Sequence, residues 1–259
     1  MVPSSARLPG STKLPWFGQL TNAIVDLFYP PHCAGCRSLG AWLCERCIEQ
    51  FERIHPPVCH RCGRPMGPAV GPTGSAHEPG ARCGRCEELP PELDFLRAFA
   101  YFGGPLRKAI HQLKYGGVTI VAGPLGQMMA CGWPRLAPDG QEKIDAIVPV
   151  PLHPKRERER GYNQAALLAR ELGPCLGRPV VEDVLRRSRA TSPQVDLSPR
   201  ERRANVHGAF QCADRRLSGS RVLIVDDVFT TGATLEAAAT ALRLGGASAV
   251  LAYTLARAR

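Results

Sequence analysis

No stretch of this 259-residue chain is long and apolar enough to cross a membrane. The nearest candidate, toward the C-terminus, is interrupted by Arg243 and Gly245-Gly246, short of the roughly 20 apolar residues a spanning helix needs. The N-terminus also reads as a poor secretory signal. Arg7 and Lys13 stand near the N-terminus, but Pro15, Gln19, Asn22 and Asp26 break the apolar run that should follow. These absences predict a cytoplasmic protein whose thiols stay reduced. Acids are also scarce, 23 against 33 Lys and Arg, a formal charge of +10. Such a surplus attracts polyanions without distinguishing nucleic acid from phosphorylated metabolites. Aromatic residues make up only 6%, and no stacking platform for nucleic-acid bases shows in the sequence. The 44% hydrophobic content excludes wholesale disorder and suits one larger domain with a small module, or two domains.

Cysteine is abundant. Eight of the eleven fall in four Cys-x-x-Cys pairs: Cys33/Cys36, Cys44/Cys47, Cys59/Cys62 and Cys83/Cys86. Each pair can form a knuckle that points two sulfurs at one tetrahedral zinc, and two knuckles close a four-cysteine site. A disulfide framework conflicts with the poor secretory signal. A thioredoxin-like redox motif would occur once, within a βαβ pattern. One or more pairs left free of metal is the remaining alternative. Sequential pairing closes shorter loops than an interleaved arrangement, which is also chemically acceptable. Four thiolates per ion leave no position for water, so two zinc ions would stabilise a module too small for a good core and not catalyse. His32, His55, His60 and His77 read as surface residues beside complete ligand sets. With eight thiolates and two zinc ions counted, the net charge falls to about +6.

Residues 1–15 are rich in Pro, Ser and Gly and are expected to be disordered. Phe17, Leu20, Ile24, Leu27 and Phe28 recur at helical spacing before Pro30-Pro31. Gly67 to Gly80 reads as a loop within the second cysteine set, and Glu88-Leu89-Pro90-Pro91 as a domain boundary. The division is therefore a leader with a short amphipathic helix over 1–30, a cysteine module over 31–90 and a larger domain over 91–259. Strands are expected over Leu96–Phe102, Ile144–Val150, Pro179–Leu185, Val222–Asp226 and Ala249–Leu255. Helices are expected over Leu106–Lys114, Gly123–Cys131, Asn163–Leu172, stopped by Gly173-Pro174, and Leu235–Leu244. Such alternation implies an α/β domain, a parallel sheet flanked by helices, with ligands beyond the strands' C-terminal ends.

The most telling stretch is Arg221-Val-Leu-Ile-Val225-Asp226-Asp227-Val228-Phe229-Thr230-Thr231-Gly232-Ala233-Thr234. A buried strand ends in two carboxylates, and a Thr/Gly turn then opens a helix. The turn presents N–H groups and hydroxyls suited to phosphate, and the acids can accept hydrogen bonds from a ribose diol. A strand–turn–helix merely capped by Asp and Thr is the plain alternative. Pro151 to Gln164 carries Lys155, Arg156, Arg158 and Arg160, and Arg156 and Arg160 are the stronger candidates for neutralising pyrophosphate. The segment Arg186 to Arg203, with Arg189 and Arg203, reads as a basic lid that would exclude water from the site.

The loop Asp226–Thr234 resembles the signature of type I phosphoribosyltransferases, which bind 5-phosphoribosyl-1-pyrophosphate (PRPP). The resemblance implies that Asp226 and Asp227 hold the ribose hydroxyls and that Val228, Phe229, Thr230, Thr231, Gly232, Ala233 and Thr234 wrap the 5′-phosphate. Further motifs narrow it: His111-Gln-Leu-Lys114-Tyr115, Val148-Pro-Val-Pro151, Arg160-Gly-Tyr162-Asn-Gln164, Arg189-Ala-Thr191 with Gln194, and Arg203-Ala-Asn205. With the four cysteine pairs, they resemble the ComF (GntX-like) family, a zinc-ribbon module before a type I phosphoribosyltransferase-like sheet. The resemblance covers nearly the whole chain from Cys33. Tyr162 stands where related sequences often have Phe.

It implies structural Zn2+ and Mg2+ bound with PRPP, and Lys114 among the pyrophosphate or lid candidates. It also implies an undefined acceptor, no membrane insertion and a link to DNA uptake or nucleotide metabolism. The loop further resembles that of glutamine amidophosphoribosyltransferase. The chain starts Met1-Val2 and its first cysteine is Cys33, so no glutaminase half is expected. Three readings stay open. The first is an Mg2+-dependent, pentosyl-transferring phosphoribosyltransferase. The second is a non-enzymatic adaptor for single-stranded DNA or DNA-processing proteins, with PRPP or a nucleotide as regulatory ligand. The third is a ligand sensor without turnover.

Overall fold

Every residue of the strand Ala249–Arg257 is buried, because it runs through the middle of a parallel sheet covered on both faces. The computed structural model describes residues 30–66, 81–87, 93–137, 143–189 and 208–259. The leader, the loop 67–80, the boundary at 88–91 and most of the basic lid lie outside the described residues. In chain order the elements are α1 (Glu45–Glu49), α2 (Gly84–Glu87), β1 (Phe95–Tyr101), α3 (Gly104–Tyr115), a 3-10 turn (Thr119–Val121), α4 (Ala122–Leu136), β2 (Ala146–Pro149), α5 (Pro154–Arg160), α6 (Gln164–Leu176), β3 (Leu185–Arg187), β4 (Phe210–Cys212), β5 (Arg221–Phe229), α7 (Ala233–Leu244) and β6 (Ala249–Arg257).

The main sheet has the order β1-β6-β5-β2, all parallel, and β3 pairs antiparallel with β4 in a separate ribbon. Side chains alternate across the sheet. Leu223, Val225, Leu251 and Tyr253 face α3, α4 and α6, while Val222, Ile224, Val250 and Ala252 face α7 and the β3–β4 ribbon. Tyr253 is fully buried. Its hydroxyl donates to the Met129 carbonyl at 2.9 Å, which removes most of the cost of taking that group out of water.

Three elements differ from the sequence pattern. Pro154–Arg160, outside every helix and strand expected from the sequence, is a helix: Pro154 starts it, and the Lys155 N–H donates to His153 Nδ1 at 3.2 Å. The helix expected to stop at Gly173-Pro174 runs on to Leu176 and ends at Gly177, whose φ of 63° suits glycine. Pro174 lies inside the helix and removes one N–H donor from the ladder without ending it. Pro179–Leu185 forms only a bridge from Val180 to Ile147, and the strand begins later, at Leu185.

The cysteine module lies along the outer edge of β1. The Leu96 N–H donates to the Arg61 carbonyl (2.6 Å), Ile54 N–H to the Phe99 carbonyl (3.0 Å) and Tyr101 N–H to the Glu52 carbonyl (2.8 Å). Arg97, 3% exposed, pins the two parts together by donating to the carbonyls of Leu136 (2.6 Å) and His60 (2.8 Å). Cys33, Cys47, Phe51 and Ile54 share one apolar cluster with Leu106, Ile110 and Tyr253.

Candidate active site

The described cysteines gather into two groups, Cys33/Cys36/Cys44/Cys47 and Cys59/Cys62/Cys83/Cys86, each with its sulfurs within 4.8 Å of one another. The pairing is sequential. A tetrahedral zinc with Zn–S of about 2.3 Å separates its sulfurs by about 3.8 Å, and Cys36–Cys44 at 3.6 Å and Cys62–Cys83 at 3.7 Å fit that spacing. Backbone N–H groups of Gly35 and Cys44 point at Cys33 Sγ (3.4 and 3.3 Å), and that of Cys83 at Cys59 Sγ (3.3 Å). A hydrogen bond from the Ser38 hydroxyl draws the exposed Cys36 thiol down to about 5. Burial pushes Cys86 up to about 11. Thiols so close resist carrying several charges together, and a zinc ion takes all four as thiolates. Both groups fit structural zinc ribbons.

The acid pair sits at the C-terminal end of β5. Asp227, 3% exposed, receives Lys114 Nζ from the end of α3 at 2.5 Å. Its own N–H donates to Asp226 Oδ1 at 2.8 Å. The two carboxyls titrate apart. Burial and then the Asp227 charge raise Asp226 well above the ordinary carboxylate range. Burial also pushes on Asp227, but the Lys114 ammonium outweighs it and holds that carboxyl low. Lys114 is raised in turn: burial opposes its charge, and Asp227 more than offsets this. The structure thus places Lys114 on the acid pair.

Around this pair the sequence motifs converge. Arg156 and Arg160, four apart on α5, are partly buried, while Lys155, Glu157, Arg158 and Glu159 are exposed. Arg160 bonds Gln164 and lies 5.4 Å from the Tyr115 ring centre. The Tyr162 hydroxyl donates to the Leu113 carbonyl at 2.6 Å, so this tyrosine uses the atom a phenylalanine lacks. Asn163 Nδ2 donates to the Val150 carbonyl (3.0 Å), and its Oδ1 accepts from Ala165 N–H (3.0 Å), capping α6. The ends of α3 and β2 are thereby tied to the start of α6.

Beyond the acids, the loop turns at Gly232, with φ 91°, into α7, and this N-cap glycine has no side chain with which to cap the helix. The Thr231 hydroxyl is buried and, among the described residues, has no hydrogen-bond partner. The remaining lid candidate within the described residues, Arg189, is exposed, and Arg203 lies outside them.

Residues 24–87 match the double zinc ribbon domain and residues 139–259 the phosphoribosyl transferase domain. The DNA utilization protein YhgH of Escherichia coli (strain K12) is 34% identical over 236 residues, 89% of this chain and 99% of that protein. Competence protein F of Haemophilus influenzae is 30% identical, with 88% and 96% covered, and competence protein ComFC of Bacillus subtilis is 28% identical, with 83% and 84% covered. The chain belongs to the ComF family. Among solved structures, a glutamine PRPP amidotransferase from B. subtilis complexed with ADP and GMP overlaps with a TM-score of 0.36 and 22% identity over 53% of this chain and 26% of that one.

Two features of this ComF protein were not legible in its sequence. Arg187, grouped with the basic lid, is instead buried on β3 and lies 5.3 Å from the Phe210 ring centre. Burial, then the neighbouring Arg156 charge, lowers it, and Asp226 partly compensates. Arg187 therefore belongs with Arg156 near the acid pair. The second feature is a row of rings. Phe102 and His111 stack at 6.1 Å, His111 and Tyr115 meet at 5.7 Å, and Arg107 and Arg160 lie over the end rings at 5.9 and 5.4 Å. The spacing of Arg107, His111 and Tyr115 at every fourth residue of α3 was the available signal.

Proposed function

We propose that this protein binds Mg2+–PRPP at the end of β5 and transfers the phosphoribosyl group. The observation that carries this reading is the buried Thr231 hydroxyl, without a hydrogen-bond partner among the described residues, before a helix whose N-cap is glycine beside the acid pair. A phosphate supplies the acceptor oxygens that such a turn lacks. Asp227, fixed by Lys114, and Asp226 receive the ribose hydroxyls. Arg156, Arg160 and Arg187 face the departing pyrophosphate. Mg2+ takes oxygen ligands, and the hard oxygens here are the acid pair and the substrate's own pyrophosphate. When bound, it neutralises leaving-group charge. The C1′–O bond breaks with its electron pair leaving on pyrophosphate. The acceptor's lone pair forms the new bond to C1′, and a proton on the acceptor passes to pyrophosphate oxygen. Positioning and electrostatics carry this chemistry without a protein nucleophile. A cytoplasmic setting suits the reduced thiols and the substrate; no helix among the described residues is long and apolar enough to cross a membrane.

Titration calorimetry with Mg2+–PRPP tests the reading. Wild-type protein should bind, and Asp226→Ala with Asp227→Ala should weaken binding by on the order of 1–3 kcal/mol for each charge-assisted hydrogen bond removed. Unchanged affinity in the double variant would remove the central claim.

The ring row favours a second reading, an adaptor for single-stranded DNA, in keeping with relatives named for DNA utilization and competence. Exposed His111 and Tyr115 with Arg107 offer stacking and charge. Oligonucleotide affinity should fall with salt at a log–log slope near −0.7 per neutralised phosphate, and Tyr115→Ala should cost about 1–3 kcal/mol. A gel-shift series without a complex at low salt rejects it.

A further inference from the structure

The two cysteine groups differ in exposure. In the second, Cys59 and Cys86 are buried and Cys62 and Cys83 half-buried, and the group is backed by the end of β6, where Arg257 donates to the Cys62 carbonyl at 2.9 Å. In the first, Cys33 and Cys47 are buried and Cys44 is half-buried, but Cys36 is exposed. No other member of either group is. The Ser38 hydroxyl lies 3.1 Å from Cys36 Sγ, and the Arg46 guanidinium donates to it at 4.0 Å. An accessible thiolate in an electropositive setting is the form of cysteine that peroxides oxidise. Cys44 Sγ stands 3.6 Å away, close enough to resolve an oxidised Cys36.

The first group also supports the acid pair at a distance. The start of α3 rests on it. Gly35 lies so close to this helix that a Cβ there would come within 3.1 Å of Pro105 Cβ. Cys33, Ala34 and Cys47 share a cluster with Leu106 and Ile110 of α3. About 14 Å along the same helix, Lys114 holds Asp227. Packing lost beneath the first turn of a rigid helix is felt at its last.

We propose that the first zinc ribbon is a peroxide-sensitive switch: a hydroperoxide joins Cys36 to Cys44, the first zinc is lost, and α3 loosens its hold on Asp227. The effect on the acid pair rests on the phosphoribosyl-transfer reading above. With hydrogen peroxide, the Cys36 thiolate attacks one oxygen, and the O–O bond breaks with its electron pair leaving on hydroxide. The Cys44 thiolate then attacks the sulfur of the resulting sulfenic acid. The S–O bond breaks, a second hydroxide leaves and a disulfide forms. Two thiolates thus give two electrons to one peroxide. Only Cys33 and Cys47 remain as thiolates, two short of the four a closed site needs. The second group, without an exposed sulfur, keeps its ion.

The test adds a small excess of hydrogen peroxide to the zinc-loaded full chain. A colorimetric chelator follows released zinc, and peptide mass spectrometry maps disulfides. One zinc should leave at least about tenfold faster than the other, together with a Cys36–Cys44 link, and dithiothreitol with added zinc should reverse both. Cys36→His keeps four zinc ligands and should retain both ions at the same dose. If that variant fails to load zinc, the wild-type disulfide map decides. Release of both ions together, first release from the second group, or oxidation confined to the exposed Cys131 and Cys175 overturns the proposal. Oxidised protein should also bind Mg2+–PRPP at least about tenfold more weakly than reduced protein. Unchanged affinity after zinc release overturns the link to the acid pair. Failure of the reduced protein to bind Mg2+–PRPP sinks the phosphoribosyl reading instead, and zinc release alone then judges the thiol chemistry.

Discussion

Asp226 and Asp227 are chain neighbours with opposite titration behaviour, because Lys114 reaches only one of them. Asp226 has a folded-state value raised above its unfolded value. It therefore costs stability above pH ~4, where the unfolded side chain is ionised, and costs nothing below it. Asp226→Asn should raise stability at pH 7 by about 1 kcal/mol or more, with the gain vanishing below pH ~4. Urea unfolding across pH checks this, and a gain that persists at pH 3 would contradict it. Asp227 runs the other way. Its depressed value contributes stability above pH ~4 that is lost as pH falls through the folded value. Lys114→Met should cost about 3–5 kcal/mol at pH 7 by stranding a buried carboxylate, with the loss shrinking in acid. At this scale the acid pair at the end of a buried strand and the glycine turn that opens the next helix were legible, because local spacing carries them. Lys114 on Asp227 and Arg187 beside Arg156 were not, because only the packed sheet brings those chain segments together.

Elements were legible where apolar periodicity was long, as in β5, β6 and α7, and less so where short polar segments are set by capping. Pro154–Arg160 is polar throughout, so no apolar stripe marks it. His153 and Pro154 at its start and the left-handed Gly161 at its end make it a helix. Its consequence is positional, since it aims Arg156 and Arg160 and not their neighbours. The turn between β5 and α7 depends likewise on one backbone shape. A Cβ at Gly232 would lie 2.9 Å from the Phe229 ring, at a φ that L side chains rarely adopt. Gly232→Ala should lower stability by roughly 1–2 kcal/mol and reduce Mg2+–PRPP affinity at least about tenfold, an affinity loss beyond what the melting shift alone would suggest. Calorimetry that finds wild-type affinity in this variant would show that the left-handed turn is dispensable.

For the whole molecule, the shared apolar cluster ties the module to the sheet. Chelating the zinc should lower the melting temperature of the entire chain in one transition, because loss of the metal unfolds knuckles that contribute Cys33 and Cys47 to the common core. Two well-separated calorimetric transitions, with the sheet's unmoved, would show independent units. The edge of β1 carries a consequence for biosynthesis. A parallel sheet that ends in an uncovered strand offers its N–H and C=O row to other chains, and natural proteins cover such edges to prevent aggregation. Here the cover is the segment containing Glu52, Ile54 and Arg61, which precedes β1 in the chain. On the ribosome the protective strip is made before the strand it must shield, and domains generally fold in that order during synthesis. Zinc supply during translation would then govern how much newly made protein stays soluble.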